Sequence, residues 1–344
     1  MGVTIYDIAR EANVGVGTVS RVLNNHPSVS ETTRSHVLEV AQRLDYSPNA
    51  SAQRLARRKS RTITAIMPYI TNYFFVEMLG GIQDRLFEDD YDLLLYGVNH
   101  PQQIDNYLQR SLRAGHSDGM LIASIDLPPD YSQRYLKNNF PITLVDRFHE
   151  PFDSFYIENV EGARDATRYL ITLGHQRIAM IAGTPETGPT RERSKGFLEA
   201  CGESSFVRNC GIHHPFIEKR NDGYSKEGGY EVMRRLLDLP TDDRPTALFI
   251  ASDIQAIGAM HALKERGLRC PEDMSIVSFD DIELAQYYGL TTMRQPIRKL
   301  GELATQRLFE RMDRPNLDPL HRRFIPELIV RQTAGSPPSR FISL

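Results

Sequence analysis

Apolar residues recur at helical spacing in three stretches near the N-terminus. The apolar positions of the first stretch are Ile5, Ile8, Ala9 and Ala12. Thr4 precedes this stretch and Asp7 follows three residues later, which is the spacing of a helix capping box. A second stretch covers 16–23, and a third runs from a cap at Ser30 to about residue 44. Two short helices across a tight turn, with a third packed on them, predict a helix-turn-helix domain.

Beyond residue 61 the pattern changes to short apolar runs that alternate with amphipathic stretches. The runs that predict buried strands are 63–67, 93–96, 119–123, 142–145, 178–181, 247–250 and 275–279. The clearest stretches that predict helices are 74–88, 159–173, 193–201, 228–237 and 255–266. This alternation predicts an α/β fold with parallel sheets and helices on both faces. Ligands of such folds bind beyond the carboxyl ends of the strands.

Charge is divided unevenly along the 344 residues. Residues 1–61 hold nine basic and five acidic side chains, a net charge of +4, whereas the remaining 32 basic and 39 acidic side chains give −7. A small basic region joined to a larger acidic one is typical of a nucleic-acid-binding domain attached to another domain. Charge alone is weak evidence, because basic helix faces are often simply solvated, so the motifs decide.

Composition argues against several classes of protein. The three cysteines, Cys201, Cys210 and Cys270, are an odd number with no CxxC spacing, which disfavours a disulfide framework and a zinc site. The sequence has no uncharged apolar run approaching about 18 residues, and its N-terminus lacks the pattern of a secretory signal. We therefore expect a soluble, cytoplasmic protein with no bound metal.

An enzymatic interpretation finds little support in the motifs. Gly15-Val16-Gly17 resembles part of a dinucleotide-binding turn but lacks the third glycine and a preceding strand. Asp280 and Asp281 are adjacent, and neighbouring side chains on an extended chain point to opposite faces, so they do not form an acid–base pair. His175 is best interpreted as structural. With no nucleophile elbow, P-loop or metal-spaced histidines, we expect no catalytic residues and no cofactor.

Several segments together resemble the lactose-repressor (LacI/GalR) family of bacterial transcription regulators. The N-terminal segments that carry the resemblance are 3–9 (VTIYDIA), 18–24 (TVSRVLN) and 46–50 (YSPNA). It continues in the body at 118–122, 173–179, 252–259, 271–281, 290–292 and 326–331. The resemblance implies a helix-turn-helix domain, a hinge helix and a two-lobed α/β domain like the periplasmic binding proteins.

The expected domain boundaries follow from these segments. The helix-turn-helix domain covers 1–46, the hinge helix and linker 47–61, the effector-binding and dimerisation domain 62–334, and a tail 335–344. Lobe 1 of the larger domain is expected at about 62–158 plus 293–321, and lobe 2 at about 159–292 plus 322–334. The chain would cross between the lobes three times, which permits hinge motion.

The resemblance implies that the second helix lies in the major groove of DNA. Arg21 suits guanine O6 and N7, and Val16 a thymine methyl, whereas Gly17 permits close approach. The side chains suited to phosphate oxygens are Tyr6, Thr18, Ser20 and Asn24. In the hinge, Leu55 stands where a residue would wedge into the minor groove, with packing in a linker as the alternative. Gly15 replaces the family's usual Ser, which removes a helix cap.

The larger domain offers polar side chains of both signs for an effector. The candidate effector-binding residues are Asn72, Phe74, Ser124, Asp146, Arg193, Tyr224, Ser252, Asp280 and Gln295. The first four follow predicted strands, whereas Arg193, Tyr224 and Asp280 stand where the resemblance implies effector contacts. Ser252 replaces a common Asn, which shortens a ligand contact. Carboxylates accept hydrogen bonds and arginine donates them, so both in one cleft suit a neutral polyol.

The expected function is a sequence-specific transcriptional regulator, a repressor in the leading interpretation. A homodimer would bind a pseudo-palindromic operator in double-stranded DNA, under allosteric control by a small molecule, a sugar or sugar derivative. Two alternatives stay open: a regulator that needs a purine-type co-repressor, and a solute-binding protein without DNA function. The tail lacks leucine heptads, which favours a dimer over a tetramer.

Overall fold

The computed structural model describes residues 3–46, 60–100, 102–113, 116–185, 187–214 and 224–338. The chain forms two compact units, one ending at Ser60 and the other beginning at Arg61. Within the described ranges, no helix is both long and apolar enough to cross a membrane. The expected hinge helix and Leu55 fall at 47–59, outside the described residues.

The N-terminal unit consists of three short helices, α1 (Ile5–Glu11), α2 (Val16–Leu23) and α3 (Glu31–Arg43). The Asp7 carboxylate accepts hydrogen bonds from the Thr4 backbone N–H at 3.0 Å and from the Thr4 hydroxyl at 2.7 Å, which fixes the start of α1. The helices enclose a small core of Ile8, Ala9, Ala12, Val19, Val22, Val37, Val40 and Ala41. Because α1 and α2 meet across a tight turn and α3 packs on both, the unit is a helix-turn-helix.

Lobe 1 of the larger unit is built on a six-stranded, wholly parallel sheet in the order β11-β5-β4-β3-β1-β2. Its strands are β1 (Thr62–Pro68), β2 (Asp92–Val98), β3 (Gly119–Ala123), β4 (Ile142–Val145), β5 (Asp153–Ile157) and β11 (His321–Phe324). Its helices are α4 (Tyr73–Glu88), α5 (Gln102–Ser111), α6 (Pro129–Lys137) and α12 (Ile297–Asp313). Helix α12 packs on α4 and on strands β3 to β5, although it lies far away in the sequence.

Lobe 2 contains the second six-stranded sheet, in the order β12-β10-β9-β8-β6-β7. Its strands are β6 (Arg177–Ile181), β7 (Asn209–His213), β8 (Ala247–Ile250), β9 (Ser275–Asp280), β10 (Thr291–Arg294) and β12 (Glu327–Ile329). Its helices are α7 (Asn159–Thr172), α8 (Gly188–Glu203), α9 (Lys226–Leu237), α10 (Asp253–Glu265) and α11 (Glu283–Tyr287). Only β12 runs antiparallel to its neighbour in this sheet, so both lobes have the α/β architecture that the sequence predicts.

The chain crosses between the lobes at slightly different points from those expected. Strand β10 belongs to lobe 2 and ends at Arg294, and β11 belongs to lobe 1 and ends at Phe324. The expected boundaries at 293 and 321 therefore fall within or at the start of strands. The crossings lie at 158, 295–296 and 325–326, because each strand completes its hydrogen bonding before the chain leaves the sheet.

A buried carboxylate fastens the returning chain to lobe 1. Asp153, which begins β5, is fully buried and accepts hydrogen bonds from Arg307 Nε at 3.0 Å and from the Leu320 backbone N–H at 2.7 Å. Arg311 also donates to both of its oxygens. Because a buried charge is stable only when it is paired and hydrogen-bonded, this cluster holds α12 and β11 in place.

Candidate functional site: a cavity between two lobes

A cavity of about 410 Å³ lies where the carboxyl ends of the two sheets face each other. This volume is in the range of small-molecule binding sites. Eight of the nine expected effector-binding residues line it: Asn72, Phe74, Ser124, Asp146, Arg193, Tyr224, Ser252 and Asp280. The first four come from lobe 1 and the last four from lobe 2. Gln295 is absent from the lining residues.

The lobe 1 wall carries a hydroxyl–carboxylate pair. Ser124 directly follows β3 and Asp146 directly follows β4, and these strands are neighbours, so the two residues emerge side by side. Both have left-handed backbones, with φ of 52° and 55°. The Ser124 hydroxyl donates to Asp146 Oδ2 at 2.6 Å. The hydrogen bond orients a nearly buried carboxylate that can accept ligand hydroxyls.

The same wall has an aromatic side chain at the start of α4. The Asn72 carboxamide oxygen accepts from the Phe74 backbone N–H at 3.2 Å and caps the helix. The ring of Phe74 meets that of Phe75 edge to face, with centroids 5.1 Å apart. Phe75 is 5% exposed and packs into the core, which leaves the half-buried Phe74 to offer an apolar face to a ligand ring.

The lobe 2 wall is centred on Arg193 of α8. Its side chain is almost fully buried, and its Nε donates to Asn159 Oδ1 at 2.8 Å while Nη1 donates to the Ala251 carbonyl at 2.5 Å. The guanidinium carbon lies 3.8 Å from the centroid of the Phe279 ring, a cation–π contact. Nη1 is also 3.5 Å from Asp280 Oδ1. The guanidinium is therefore held in place before any ligand arrives.

Asp280 lines the cavity beside Arg193, and Gln295 binds Asp280 without lining the cavity. Asp280 ends β9 with a φ of 116°, a strained value for a residue with a side chain. Burial raises the pKa of its carboxyl well above the ordinary value, and the charge of Arg193 partly offsets this. Gln295 Nε2 donates to Asp280 Oδ1 at 2.6 Å. Gln295 thus lies behind Asp280, because its backbone follows β10 while its side chain turns toward β9.

Asp253 lies deeper, at the start of α10, and the sequence did not single it out. Its carboxylate accepts from the hydroxyls of Ser278 at 2.5 Å and Thr292 at 2.7 Å, and from the Ile282 backbone N–H at 2.9 Å. Burial raises its pKa to about 7. Asp253 joins α10 to strands β9 and β10 and does not line the cavity. Its charge is among the causes that raise the pKa of Asp280.

The remaining lobe 2 residues are partly engaged in local structure. The Tyr224 hydroxyl lies 2.9 Å from Thr190 Oγ1, and the Tyr224 carbonyl accepts from Asn72 Nδ2 at 3.4 Å across the lobes. Ser252 is the N-cap of α10, and its hydroxyl oxygen accepts from the Gln255 backbone N–H at 3.3 Å. The hydroxyl of Ser252 is therefore shared between capping and any ligand.

Sequence reasoning missed several lining residues, among them His100, Asp126 and Arg147. Arg147 Nε lies 3.0 Å from Asp126 Oδ1, and its guanidinium rests against Gly188 of the opposite lobe, where an added Cβ would come within 2.1 Å of Nη2. His100 and Arg147 come shortly after β2 and β4. A uniform search of strand ends would have found both.

The residues considered for acid–base chemistry have structural partners instead. His175 is fully buried, with Nδ1 2.9 Å from Thr246 Oγ1 and Nε2 2.9 Å from the Gly335 carbonyl. Burial lowers its pKa. Asp281 is bound by Arg294 and Arg331, each at 2.7 Å, on the side away from the cavity. Asp280 and Asp281 therefore face different partners, as expected for neighbours on a strand.

In the N-terminal unit, the expected DNA-contacting side chains of α1 and α2 differ in how exposed they are. Arg21 is exposed, and no polar partner binds its side chain within residues 3–46. Gly17 and Asn24 are exposed, Tyr6 of α1 is 69% exposed, and the partly buried residues are Val16, Thr18 and Ser20. Asn24 Nδ2 donates to the Ser20 carbonyl at 2.8 Å, so it also closes the end of α2.

Two sequence-family comparisons fit this geometry. Residues 4–49 match the model of bacterial regulatory proteins of the lacI family, and residues 167–334 match that of a periplasmic binding protein-like domain. The probable HTH-type transcriptional repressor ExuR of Bacillus subtilis is 35% identical over 325 residues, covering 91% of this chain and 92% of that protein. The HTH-type transcriptional repressor CytR of Escherichia coli is 34% identical, covering 97% of each. This chain belongs to the lacI family of bacterial regulatory proteins.

Solved structures agree with the lacI-family assignment. The lac repressor dimer bound to operator and the anti-inducer ONPF superposes with a TM-score of 0.82 at 26% identity, covering 98% of this chain and all of that one. The complex of the transcriptional regulator CelR with cellobiose gives 0.67 at 27% identity, covering 96% and 100%. The resemblance seen in the sequence is thus confirmed. The relatives ExuR, CytR and PurR are named transcriptional repressors, so this lacI-family chain is a regulator of transcription and not an enzyme.

Two departures from the usual lacI-family pattern have visible consequences. Gly15 is the N-cap of α2 with a φ of −69° and makes no side-chain cap. An added Cβ there would meet no atom within 4 Å, so a serine would fit. Ser252 keeps its capping role but has a shorter reach into the cavity than the usual asparagine.

Proposed function

We propose that this chain is a cytoplasmic, homodimeric repressor whose operator affinity is controlled by a sugar or sugar derivative bound between the lobes. The observation that carries the proposal is the cavity, in which Arg193 and Asp280 of lobe 2 face Ser124 and Asp146 of lobe 1. The same chain carries a helix-turn-helix unit, so one polypeptide joins a ligand site to a DNA-reading element.

The chemistry of the cavity suits a ligand with several hydroxyl groups. Arg193 donates hydrogen bonds, Asp146 accepts them, and Phe74 offers an apolar face to a ring. Charges of both signs line the cavity, which favours a neutral polyol over a strongly charged ligand. Two solved relatives bind sugars: CelR is in complex with cellobiose, and a lacI-family regulator from Enterococcus faecium holds ribose.

Control follows from the placement of the ligand between two lobes. A compound that contacts both walls stabilises the lobe arrangement in which those contacts are best. Strand β1 of lobe 1 begins at Thr62, directly after the segment that leads from the DNA-binding unit. A shift between lobes would change the spacing of these segments in a dimer and hence operator affinity, by a coupling free energy that works in both directions.

On the DNA side, the start of α2 would enter the major groove of each half-site. Arg21 would read a guanine, because its planar fork matches O6 and N7. The other proposed DNA contacts are Tyr6, Val16, Gly17, Thr18, Ser20, Asn24 and Leu55. Since a dimer repeats these contacts about its two-fold axis, the operator would be a pseudo-palindrome.

A purine-type co-repressor is the second candidate for the effector. The aromatic side chains Phe74 and Tyr224 line the cavity from opposite lobes and could take a flat ring between them. Relatives from Vibrio named HTH-type transcriptional repressor PurR are 33% identical to this chain. This effector would strengthen operator binding, whereas an inducing sugar would weaken it.

Selection from a library of palindromic duplexes at fixed salt tests the proposal. The selection is run with and without sugars, sugar phosphates and purines, and we expect one symmetric site and one compound that shifts its affinity. Arg21→Ala should lower affinity for that site about 10- to 100-fold, because one bidentate base contact is lost. Arg43→Ala is the control. It removes an exposed arginine at the end of α3, outside α2, that pairs with Glu11 of α1. The proposal would be contradicted if no palindromic duplex were enriched, whichever compound was present.

A further inference from the structure

Helix α4 contacts lobe 2 at a point outside the cavity lining. Glu77 Oε1 accepts a hydrogen bond from the backbone N–H of Glu283 at 2.9 Å. Glu77 belongs to lobe 1, and Glu283 is the first residue of α11 in lobe 2. Glu77 is half-buried and lies a little more than one helical turn after Asn72, which reaches Tyr224 across the cavity. The start of α4 therefore meets lobe 2 at two places.

The surroundings of Glu77 oppose its negative charge. Burial raises the pKa of its carboxyl, and the nearby carboxylates of Asp281 and Glu283 raise it further. The hydrogen bond from the Glu283 N–H and the positive charge of Arg298 on α12 act in the other direction. The interlobe contact thus combines a favourable hydrogen bond with an unfavourable charge. The two contributions can be separated by substitution.

The charge of Glu77 also affects the lobe 2 wall of the cavity. Its charge is among the causes that raise the pKa of the buried Asp280 carboxyl. Asp280 lines the cavity, whereas Glu77 does not. A change in distance between Glu77 and lobe 2 therefore changes the electrostatic environment of a residue that faces the ligand.

We propose that Glu77 is a positioning residue that ties lobe 1 to lobe 2 and sets the balance between the present lobe arrangement and a more open one. The acceptor oxygen favours the present arrangement, and the negative charge opposes it. The inference rests on the proposed function for its purpose, because that balance is what an effector would shift. The tie joins two residues of one polypeptide, so it can be measured without effector or operator.

Two substitutions should separate these contributions. Glu77→Ala removes the acceptor together with the charge, so its ratio of the tied to the open arrangement should be about threefold to tenfold below that of Glu77→Gln, the usual value of one hydrogen bond. Glu77→Gln keeps an amide oxygen for the Glu283 N–H and removes the charge, so it should raise that ratio. Glu88→Ala is the matched control, because Glu88 is on the same helix and pairs only with Arg85 among the described residues.

Pulsed electron paramagnetic resonance can read the distance between the lobes in the full chain. One spin label goes on the exposed native Cys210 of lobe 2 and the other on Gln133→Cys of α6, with Cys270→Ser to prevent further labelling. Labelled chain is diluted in unlabelled chain, so that distances within one polypeptide are measured. We expect longer distances for Glu77→Ala than for Glu77→Gln, and a narrower distribution at the short distance for Glu77→Gln than for the parent chain.

The pH dependence of the interlobe distance gives a second measurement, which would not change if Glu77 had only a structural role. Because the pKa of Glu77 is raised in the tied arrangement, lowering the pH toward that raised pKa should favour the arrangement, and the gain is lost as the pH rises through it. The groups that face it are Asp281, Glu283 and Arg298. Glu77→Gln should remove this part of the pH dependence.

Equal distances in Glu77→Ala and Glu77→Gln, or a shift as large in Glu88→Ala, would overturn the inference. An unaltered pH dependence in Glu77→Gln would do the same. Failure of the operator selection described above would instead overturn the proposed function, and it would leave these distances as they are.

Discussion

The two walls of the cavity differ in how firmly their polar side chains are held. In lobe 2, Arg193 is bound by Asn159, by the Ala251 carbonyl and by the ring of Phe279, and Gln295 binds Asp280 from behind. In lobe 1, the polar side chains that follow two strands are held in pairs, Ser124 with Asp146 and Arg147 with Asp126. Lobe 2 therefore presents a preorganised half-site. Lobe 1 presents one that can change without disturbing the core.

This difference separates two tasks of the site. A preorganised donor loses little entropy when a ligand binds, so under the proposed function the lobe 2 wall would supply most of the effector affinity. The lobe 1 wall can vary with little effect on folding, so it would determine which effector is preferred. The comparison predicts that equivalent changes in the two walls will affect stability very differently.

The largest effect is expected for Arg193→Ala. Removal of the guanidinium leaves the buried Asp280 carboxyl without its cationic partner, and breaking such a pair costs about 3 kcal/mol of unfolding free energy. Under the proposed function, effector affinity should fall about 100-fold, because the charge-assisted hydrogen bonds that the guanidinium would donate to the ligand are lost. Thermal unfolding and effector titration measure the two losses.

A second substitution tests the cause of that instability. Adding Asp280→Asn to Arg193→Ala removes the buried carboxyl that has lost its cationic partner, and it should recover part of the lost stability. A double variant whose losses simply add would show that the pair does not act as a unit. The rigidity of the lobe 2 wall would then not depend on the Arg193–Asp280 pair.

The sequence predicted most of the fold because buried strands have distinctive apolar runs. Of the five strands it missed among the described residues, β7, β11 and β12 lie at sheet edges, and the side chains of β7 and β11 are largely exposed. The other two, β5 and β10, are buried but begin with polar residues, Asp153-Ser154 and Thr291-Thr292. Strand β11 has the sequence His-Arg-Arg-Phe. It lies in the sheet because the Asp153 carboxylate binds the backbone N–H of Leu320, just before the strand begins. A contact between residues more than 150 positions apart leaves no local pattern in the sequence.

The site shows the same limit. The rule that ligands bind at strand ends identified Ser124 and Asp146, and the family resemblance identified Arg193 and Asp280. Gln295 also follows a strand, but the direction of its side chain depends on the turn that leads into α12. The interlobe hydrogen bond of Glu77 depends on the relative placement of the lobes, which no single element encodes.

Asp146→Asn makes the contrasting change in the lobe 1 wall. The amide oxygen can still accept from the Ser124 hydroxyl, and asparagine tolerates the left-handed backbone at this position. Unfolding free energy should therefore change by less than about 1 kcal/mol. Effector affinity should fall about tenfold, through loss of a charged acceptor. A loss of stability as large as that of Arg193→Ala would remove the distinction between the walls.

The smallest effect on stability is expected for Ser252→Asn, which restores the residue common in the family. Asparagine caps a helix about as well as serine does, so unfolding free energy should stay within about 0.5 kcal/mol of the parent. The longer side chain would extend from the start of α10 into the cavity, next to a wall that is otherwise rigid. Operator-release titrations with a panel of sugars should therefore show an altered order of preference. An unaltered order would mean that the cap holds the side chain away from the ligand, and that lobe 2 contributes affinity without selectivity.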